Sequence, residues 1–257
     1  VLKLKLRTKS KAKAFKIGTE KHTAEIYKNC EFVPVISGNS FRGNMRRKAM
    51  YDFTQLAGID KLDKSTYHTL FTGGVLNDSS IYEDIAKREN LIKLCPMLGL
   101  FGAAIGNMTI EGSMGVGYAY PLCRELNNGE KSFWEYLEVV FQTRLDSSKT
   151  EKQIEIADKD FADTVQMKYE YEVFAKGTQF SHGFRLYDNV DEMINCAFWR
   201  AIELFKQNPY ICGMFAIGNA EIDLSSLKTN TKKANEYVKY IAANKAEIKK
   251  FFTGEVK

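Results

Sequence analysis

An α+β fold, an antiparallel sheet with helices packed on one face, is predicted by three features of this 257-residue chain. Segments with the period-two alternation of half-buried strands occur near its start and past its middle. Amphipathic stretches with helical spacing separate and follow them. The hydrophobic share of 44% is enough to fill one core of this kind, while 18 glycines and 4 prolines exclude a collagen-like or largely disordered chain.

Residues 1–8 alternate Leu2, Leu4 and Leu6 with Lys3, Lys5 and Arg7, which predicts a strand with one wet, basic face. A second short strand is expected over 31–36, closing at the turn Ser37-Gly38-Asn39-Ser40. From Ser40 the period changes. Phe41, Met45, Ala49 and Phe53 recur every fourth residue with Leu56 on the same side, Ser40 serving as N-cap and Gly58 as stop. Residues 58–95 are polar and weakly patterned, an insertion with helical pieces. Six glycines from Gly99 to Gly117, interleaved with Phe101, Ile105, Met108, Ile110 and Val116, predict strands with bulges or close backbone approaches, ending at Tyr120-Pro121.

A helix is expected over 133–142, followed by a polar protruding hairpin or loop over 146–163. Met167, Tyr169, Tyr171 and Val173 alternate with Lys168, Glu170 and Glu172 as a strand that ends at Lys176-Gly177-Thr178. Tyr169 and Tyr171 can stack on bases or fill the core, and their period-two spacing beside Met167 and Val173 favours the core. The clearest helical pattern spans 190–207, stopped by Asn208-Pro209, with a final strand from Tyr210. A Lys-rich helix over 231–252 places Tyr237, Tyr240, Ile241, Ile248 and Phe251 on one side. No internal repeat or low-complexity linker divides the chain, so residues 1–257 read as a single domain with insertions. This order of elements fits a ferredoxin-like βαββαβ core without demanding it.

The net charge of +5 hides an asymmetry. Residues 1–50 carry 13 basic side chains against Glu20, Glu25 and Glu31, a local balance of +10, and the rest of the chain has a balance of −5. A basic region on a near-neutral body draws polyanions to one face. Lys3, Lys5 and Arg7 also fit the guarded face of an edge strand. Cys30, Cys95, Cys123, Cys196 and Cys212 are scattered without C-x-x-C spacing. That argues against a disulfide framework or a zinc module and fits a reducing, cytoplasmic setting. No apolar run approaches the ~20 residues that span a bilayer, so no membrane partner is expected.

The segment SGNSFRGNMRR carries the strongest chemical signal. Ser37, Gly38, Asn39 and Ser40 form a small-residue loop leading into the first turn of a helix, where backbone N–H groups and the positive end of the dipole attract phosphate. Arg42 and Arg46 are four apart and share one side of that helix, with Arg47 and Lys48 extending the charge. A guanidinium meets phosphate oxygens in pairs. Arginine in a first turn opposes the dipole, which is easier to understand if an anion lies near. An ordinary capped helix with a solvated basic face is the alternative.

The stretch PVISGNSFRGNMRR resembles the Gly-rich loop and following helix of the RAMP superfamily of CRISPR proteins, and is most similar to the Cas-seven backbone subunits in their type IV form. Two later segments carry the same resemblance in the expected order. LFGAAIGNMTIEGSMGVGYAYP is similar to the family's Leu-Phe-Gly element and the strand after it. TRLDSSKTEKQIEIADKDFADTVQMKYEYEVFAKGTQF is similar to its Arg-x-Asp, polar hairpin and closing strand with Gly-Thr-x-Phe. The resemblance implies a modified RRM-like palm with a helical insertion at 58–95 facing the target or a neighbouring subunit, and a protruding thumb hairpin at 146–163. It implies a guide RNA (crRNA) held by Ser37, Gly38, Asn39, Ser40, Arg42, Arg46 and Arg47, along which copies of the chain form a helical filament, each holding about six nucleotides. Complementary target nucleic acid and other effector subunits, Cas-five-like and large-subunit-like, are the further partners implied. Base pairing would then supply sequence specificity while the protein reads charge and shape.

Related subunits that cut target RNA carry an aspartate shortly before the loop. Tyr27-Lys28-Asn29-Cys30 stands there without an acid, and Glu25 and Glu31 fall outside that register, so no catalysis is expected of this chain. The segment GMFAIGNAEIDL keeps Gly213 and Gly218 but lacks the family's basic residue, so it receives no RNA contact. His22, His68 and His182 have no Cys, Asp or Glu at ligand spacing, so neither a metal nor another cofactor is expected. Phosphate-loop fingerprints and the Gly-x-Ser-x-Gly elbow are absent. Two rivals remain at this stage: a RAMP endoribonuclease using His22 or Glu31, and a structural oligomer that binds no nucleic acid.

Overall fold

The computed structural model describes the backbone of residues 2–6, 12–13, 23–26, 31–74, 85–127, 129–145, 166–211 and 221–253, and side chains within 33–74, 85–126, 129–139, 172–211 and 221–253. The chain opens with strands β1 (Leu2–Leu6), β2 (Ala12–Lys13), β3 (Thr23–Ile26) and β4 (Glu31–Pro34). Helices α1 (Gly38–Ala57), α2 (Lys64–Thr72), α3 (Ile85–Leu94) and α4 (Pro96–Phe101) follow. Short strands β5 (Ala103–Ile105), β6 (Met108–Ile110), β7 (Met114–Val116) and β8 (Tyr120–Pro121) lead to α5 (Arg124–Asn127) and a single 3-10 turn, Phe133–Tyr136. The long strands β9 (Leu137–Leu145) and β10 (Gln166–Phe174) precede β11 (Gln179–His182) and β12 (Phe184–Leu186). Helix α6 (Glu192–Gln207), strand β13 (Ile222–Asp223), α7 (Thr231–Ala243) and α8 (Lys245–Thr253) complete the described elements.

The fold is α+β. Its central sheet has four strands in the order β13-β1-β11-β8, every neighbour antiparallel. The chain visits β1, α1, β8, β11, α6 and β13 in turn. That path, with the first strand between the last and the third, is the ferredoxin-like βαββαβ arrangement. On β11, Phe180 and His182 are buried while Gln179 is exposed and Ser181 half-buried, so one face of the sheet carries the helices. Phe41 of α1 stacks on His182 at 4.1 Å and meets Phe205 of α6 edge-on at 6.3 Å. Arg200 of α6 clamps Asp52 of α1 through two hydrogen bonds of 2.6 and 2.9 Å. Phe252 of α8 closes the far end of α1 against Phe53 at 5.7 Å.

Helix α1 buries Phe41, Met45, Ala49 and Phe53, as its period predicts, and Gly58 ends it with φ 65°, the left-handed turn that glycine tolerates best. Its N-cap is Ser37 rather than Ser40. The Ser37 Oγ accepts the Asn39 amide at 3.2 Å, so the helix starts earlier than the apolar spacing indicates. The helix expected over 133–142 is one 3-10 turn and then strand. Ser132 and Glu135 supply a genuine helix start, the Ser132 amide donating to Glu135 Oε1 at 3.0 Å. From Leu137, however, nine residues pair with β10 in a continuous antiparallel ladder, and that pairing overrides the local signal. The helix expected over 231–252 breaks at Asn244. The buried face runs through Ala234, Tyr237, Ile241, Ile248 and Phe252 at helical spacing, so Phe252 rather than Phe251 points inward, Phe251 being 42% exposed. The strand after Tyr210 is described only at Ile222–Asp223, with Tyr210 bridging Glu221. Segment 146–163, expected to protrude as a thumb, lies outside the described residues, as do the side chains of Tyr169 and Tyr171.

Tyr237 on α7 is fully buried, and its hydroxyl has no hydrogen-bond partner among the described residues. Such a group costs its desolvation without compensation. Tyr237→Phe is therefore expected to raise stability by about 1 kcal/mol, read as an upward shift of the urea midpoint at unchanged slope.

Candidate nucleic-acid interface

The loop into α1 is built by a close passage of two backbones. Ile36 and Ala119 exchange N–H···O bonds of 3.1 and 2.9 Å, which lays the segment after β7 alongside the residues that precede the helix. Gly38 is required there, because a Cβ would lie 2.3 Å from the Val116 carbonyl oxygen. Asn39 is exposed and Ser40 half-buried. Part of the first turn's donor capacity is already used, since Asn39 N donates to Ser37 Oγ and Ser40 N to Ser37 O. The Ser40 Oγ is buried without a hydrogen-bond partner among the described residues.

The four cations that follow are not equivalent. Arg42 is half-buried, donating from Nη1 to Met114 O at 2.9 Å and from Nη2 to Phe101 O at 2.8 Å. Burial lowers its pKa, with Tyr187 nearby acting in the opposite sense. Arg46 is 7% exposed, with Nε on Leu70 O at 2.6 Å, Nη2 on Thr69 O at 2.7 Å and Nη1 on Gly102 O at 2.8 Å. Burial brings its pKa down to about 10. Lys48 donates to Asn208 O and to Tyr210 O, lies 5.0 Å over the Phe205 ring, and has a pKa lowered to about 8 by burial and by Arg47. Arg47 is exposed, touching only its own helix at Asn44 Oδ1, 3.3 Å away, among the hydrogen bonds described.

Apart from Met114 O in β7, the acceptors of Arg42 and Arg46 have a common origin. Thr69 and Leu70 lie in the last turn of α2, and Phe101 and Gly102 close α4, so these carbonyls are ones that helices leave unsatisfied at their C-terminal ends. Guanidinium donors suit that partial negative charge. The side shared by Arg42 and Arg46 is as the four-residue spacing predicts, but it faces inward. An Arg46 gripping phosphate is not what this geometry offers, because its guanidinium is enclosed by carbonyls. Gly112 and Gly73 make the room: a Cβ at 112 would lie 2.3 Å from Arg42 Nη2, and one at 73 would lie 3.3 Å from Arg46 Nη1.

Sequence reasoning missed the aromatic neighbours of this loop, Tyr118, Tyr120 and Tyr187, all exposed, together with exposed Arg185. The pattern Tyr-Ala-Tyr-Pro, two aromatics around a small residue at strand spacing, was the available signal. His68 is exposed and His22 lies outside the described residues, as do residues 27–30 and 213–219. Glu192, Cys196 and Glu236 bring three possible ligand atoms within 4.8 Å. Lys233 already pairs with Glu192 at 2.9 Å, and the Cys196 thiol donates to Glu236 at 3.6 Å. No described helix is long and apolar enough to cross a membrane.

No family model matches the sequence, and no curated protein matches it. A ferredoxin-like α+β core with a tight, basic helix start is what the fold and site define. Among solved structures, a chain described as "Type IV-B CRISPR Complex" shares this fold with a TM-score of 0.61 at 17% identity, over 89% of this chain and 92% of that chain.

Arg46→Met removes three good hydrogen bonds and leaves buried carbonyls unpaired. It is expected to cost at least about 3 kcal/mol in urea unfolding, with Arg46→Lys recovering only part of the loss. A second expectation concerns acid. Burial against Phe41 and Phe184 brings the His182 pKa down to about 4, the Tyr118 backbone opposing the shift. The unfolded chain, with an ordinary histidine near 6.5, binds the proton more tightly. Stability is thus lost as pH falls from about 6.5 to about 4, by up to about 3 kcal/mol from this group. His182→Phe should flatten that portion of the stability–pH curve.

Proposed function

We propose that this chain is a non-catalytic, guide-RNA-binding backbone subunit of a CRISPR effector complex, type IV-like, whose copies line up along the RNA. The observation that carries the reading is the coincidence of two independent likenesses. The fold matches a chain of a Type IV-B CRISPR complex over nearly the whole length of both. The ordered motifs beginning at Ser37 resemble those of the RAMP backbone subunits. The +10 balance of residues 1–50 supports a polyanionic partner.

In this reading the RNA backbone passes the Ser37–Ser40 loop. Gly38 brings the main chain close, Asn39 offers an exposed amide, and Arg47 offers an exposed charge. Arg42 reaches the ligand only with the part of its guanidinium left over from Met114 and Phe101, and Arg46 holds the neighbouring turns in place. Further copies of the chain, Cas-five-like and large-subunit-like proteins, and the complementary target strand complete the assembly. It works in the cytoplasm without cofactor or metal. The resemblance assigns to segment 146–163 the role of kinking the RNA every six or so nucleotides.

RNA should co-purify with the assembly. Its affinity should fall linearly with salt on logarithmic axes, each neutralised phosphate adding about 0.7 to the slope. Asn39→Asp combined with Arg47→Glu should weaken binding in fluorescence anisotropy and reduce that slope, leaving the urea midpoint unchanged. Wild-type affinity and slope in this variant would remove the loop from the interface.

A further inference from the structure

The segment that passes the loop carries a feature of its own. Tyr118 and Tyr120 are 43% and 37% exposed, while Ala119 between them is fully buried and bonded to Ile36. The bridge therefore fixes both tyrosines on the side away from the core. Their ring centroids are 6.3 Å apart with planes at 57°, so neither ring stacks face-to-face on the other. Tyr120 pairs in register with Ser181, and Ser181 with Lys3, which places this row on the face of the sheet opposite buried Phe180.

The surroundings select the kind of ligand. Tyr187 is 51% exposed and donates its amide to Ser113 O at 3.0 Å. Its hydroxyl approaches Gly115 closely enough that a Cβ there would lie 3.7 Å away. Exposed Arg185 pairs in register with the same Gly115, and Arg42 lies beside Tyr187. The adjoining segments carry exposed polar or cationic residues, Asn39 after the Gly38 that lies against Gly117, Gln179 two positions from Ser181 on β11, and Arg185 opposite Gly115, which a purely apolar protein partner would leave poorly matched. Flat π faces beside positive charge instead match a strand that alternates bases with phosphates.

We propose that Tyr118 and Tyr120 form a stacking platform for bases of a single-stranded nucleic acid whose phosphates pass the Ser37–Ser40 loop, flanked by Tyr187 and Arg185. This rests on the RNA-binding reading above and adds how the bases, rather than the phosphates, are held. The platform is tolerant of sequence, since every base presents a π face.

The test uses the full-length chain in its assembly and a single-stranded RNA carrying 2-aminopurine. Wild type should quench the probe on binding. Tyr118→Leu with Tyr120→Leu should lose the quench and weaken affinity about 5- to 150-fold per ring, with the salt slope unchanged. Tyr118→Phe with Tyr120→Phe should keep both quench and affinity, and a matched urea midpoint shows that each variant is folded. Quenching and affinity at wild-type level in the leucine pair would remove the platform while leaving RNA binding intact. Retained RNA affinity with loss of assembly between copies would make the patch a protein contact and overturn the proposal. A wild-type protein that binds no RNA at any salt would overturn the function and the platform together.

Discussion

Two guanidinium groups on one helix hold the ends of two others. A cation taken out of water without a counter-ion costs several kcal/mol, and Arg46 has no carboxylate among its described hydrogen-bond partners. What balances it is a ring of main-chain oxygens at the C-terminal ends of α2 and α4, where the helix dipoles concentrate partial negative charge. Arg42 takes Phe101 O from one side and Met114 O from the other. The helical insertion, the glycine-rich strands and α1 are thereby joined at a single point, and the loop at 37–40 inherits its position from that junction.

The remaining architecture follows from this attachment. With Phe101–Met114 held against α1, the chain continues through Val116 and Gly117 directly over Gly38 and then bridges Ile36 at Ala119. It enters the central sheet as β8 beside β11. Phe41, one turn into α1, stacks on His182 of that same β11, so the helix start is clamped from its polar side by backbone and from its apolar side by aromatic rings. A loop held in this way is a rigid place from which to meet a ligand.

Much of the fold was legible because its signals were local. The four-residue recurrence from Phe41 to Phe53, the stop at Gly58 and the alternation in 167–173 are all properties of neighbouring residues; the buried helix face, the left-handed stop and a strand over Gln166–Phe174 are observed. The helix misassigned over 133–142 shows the limit: Ser132 and Glu135 do start a turn, but the decisive ladder to β10 is formed by residues far along the chain. The site divides in the same way. The loop's composition located it, and spacing put Arg42 and Arg46 on one side. Spacing alone does not say whether that side meets solvent or carbonyl groups. The acceptors at Thr69, Leu70, Phe101 and Gly102 are main-chain atoms that any residue would supply, so no side-chain pattern announces them.

Gly112 illustrates what such an arrangement demands over evolutionary time. A methyl group at that position would meet the Arg42 guanidinium at 2.3 Å and the main chain of Phe101 and Gly102 at 2.8 and 3.0 Å, although the whole of the insertion at 58–95 lies between residues 42 and 112. The pair is chemically one unit, a long side chain and the hollow that receives it. A shorter side chain at 42 would free only part of that hollow, because the main chain at Phe101 and Gly102 closes the rest, so glycine is demanded at 112 whichever residue stands at 42.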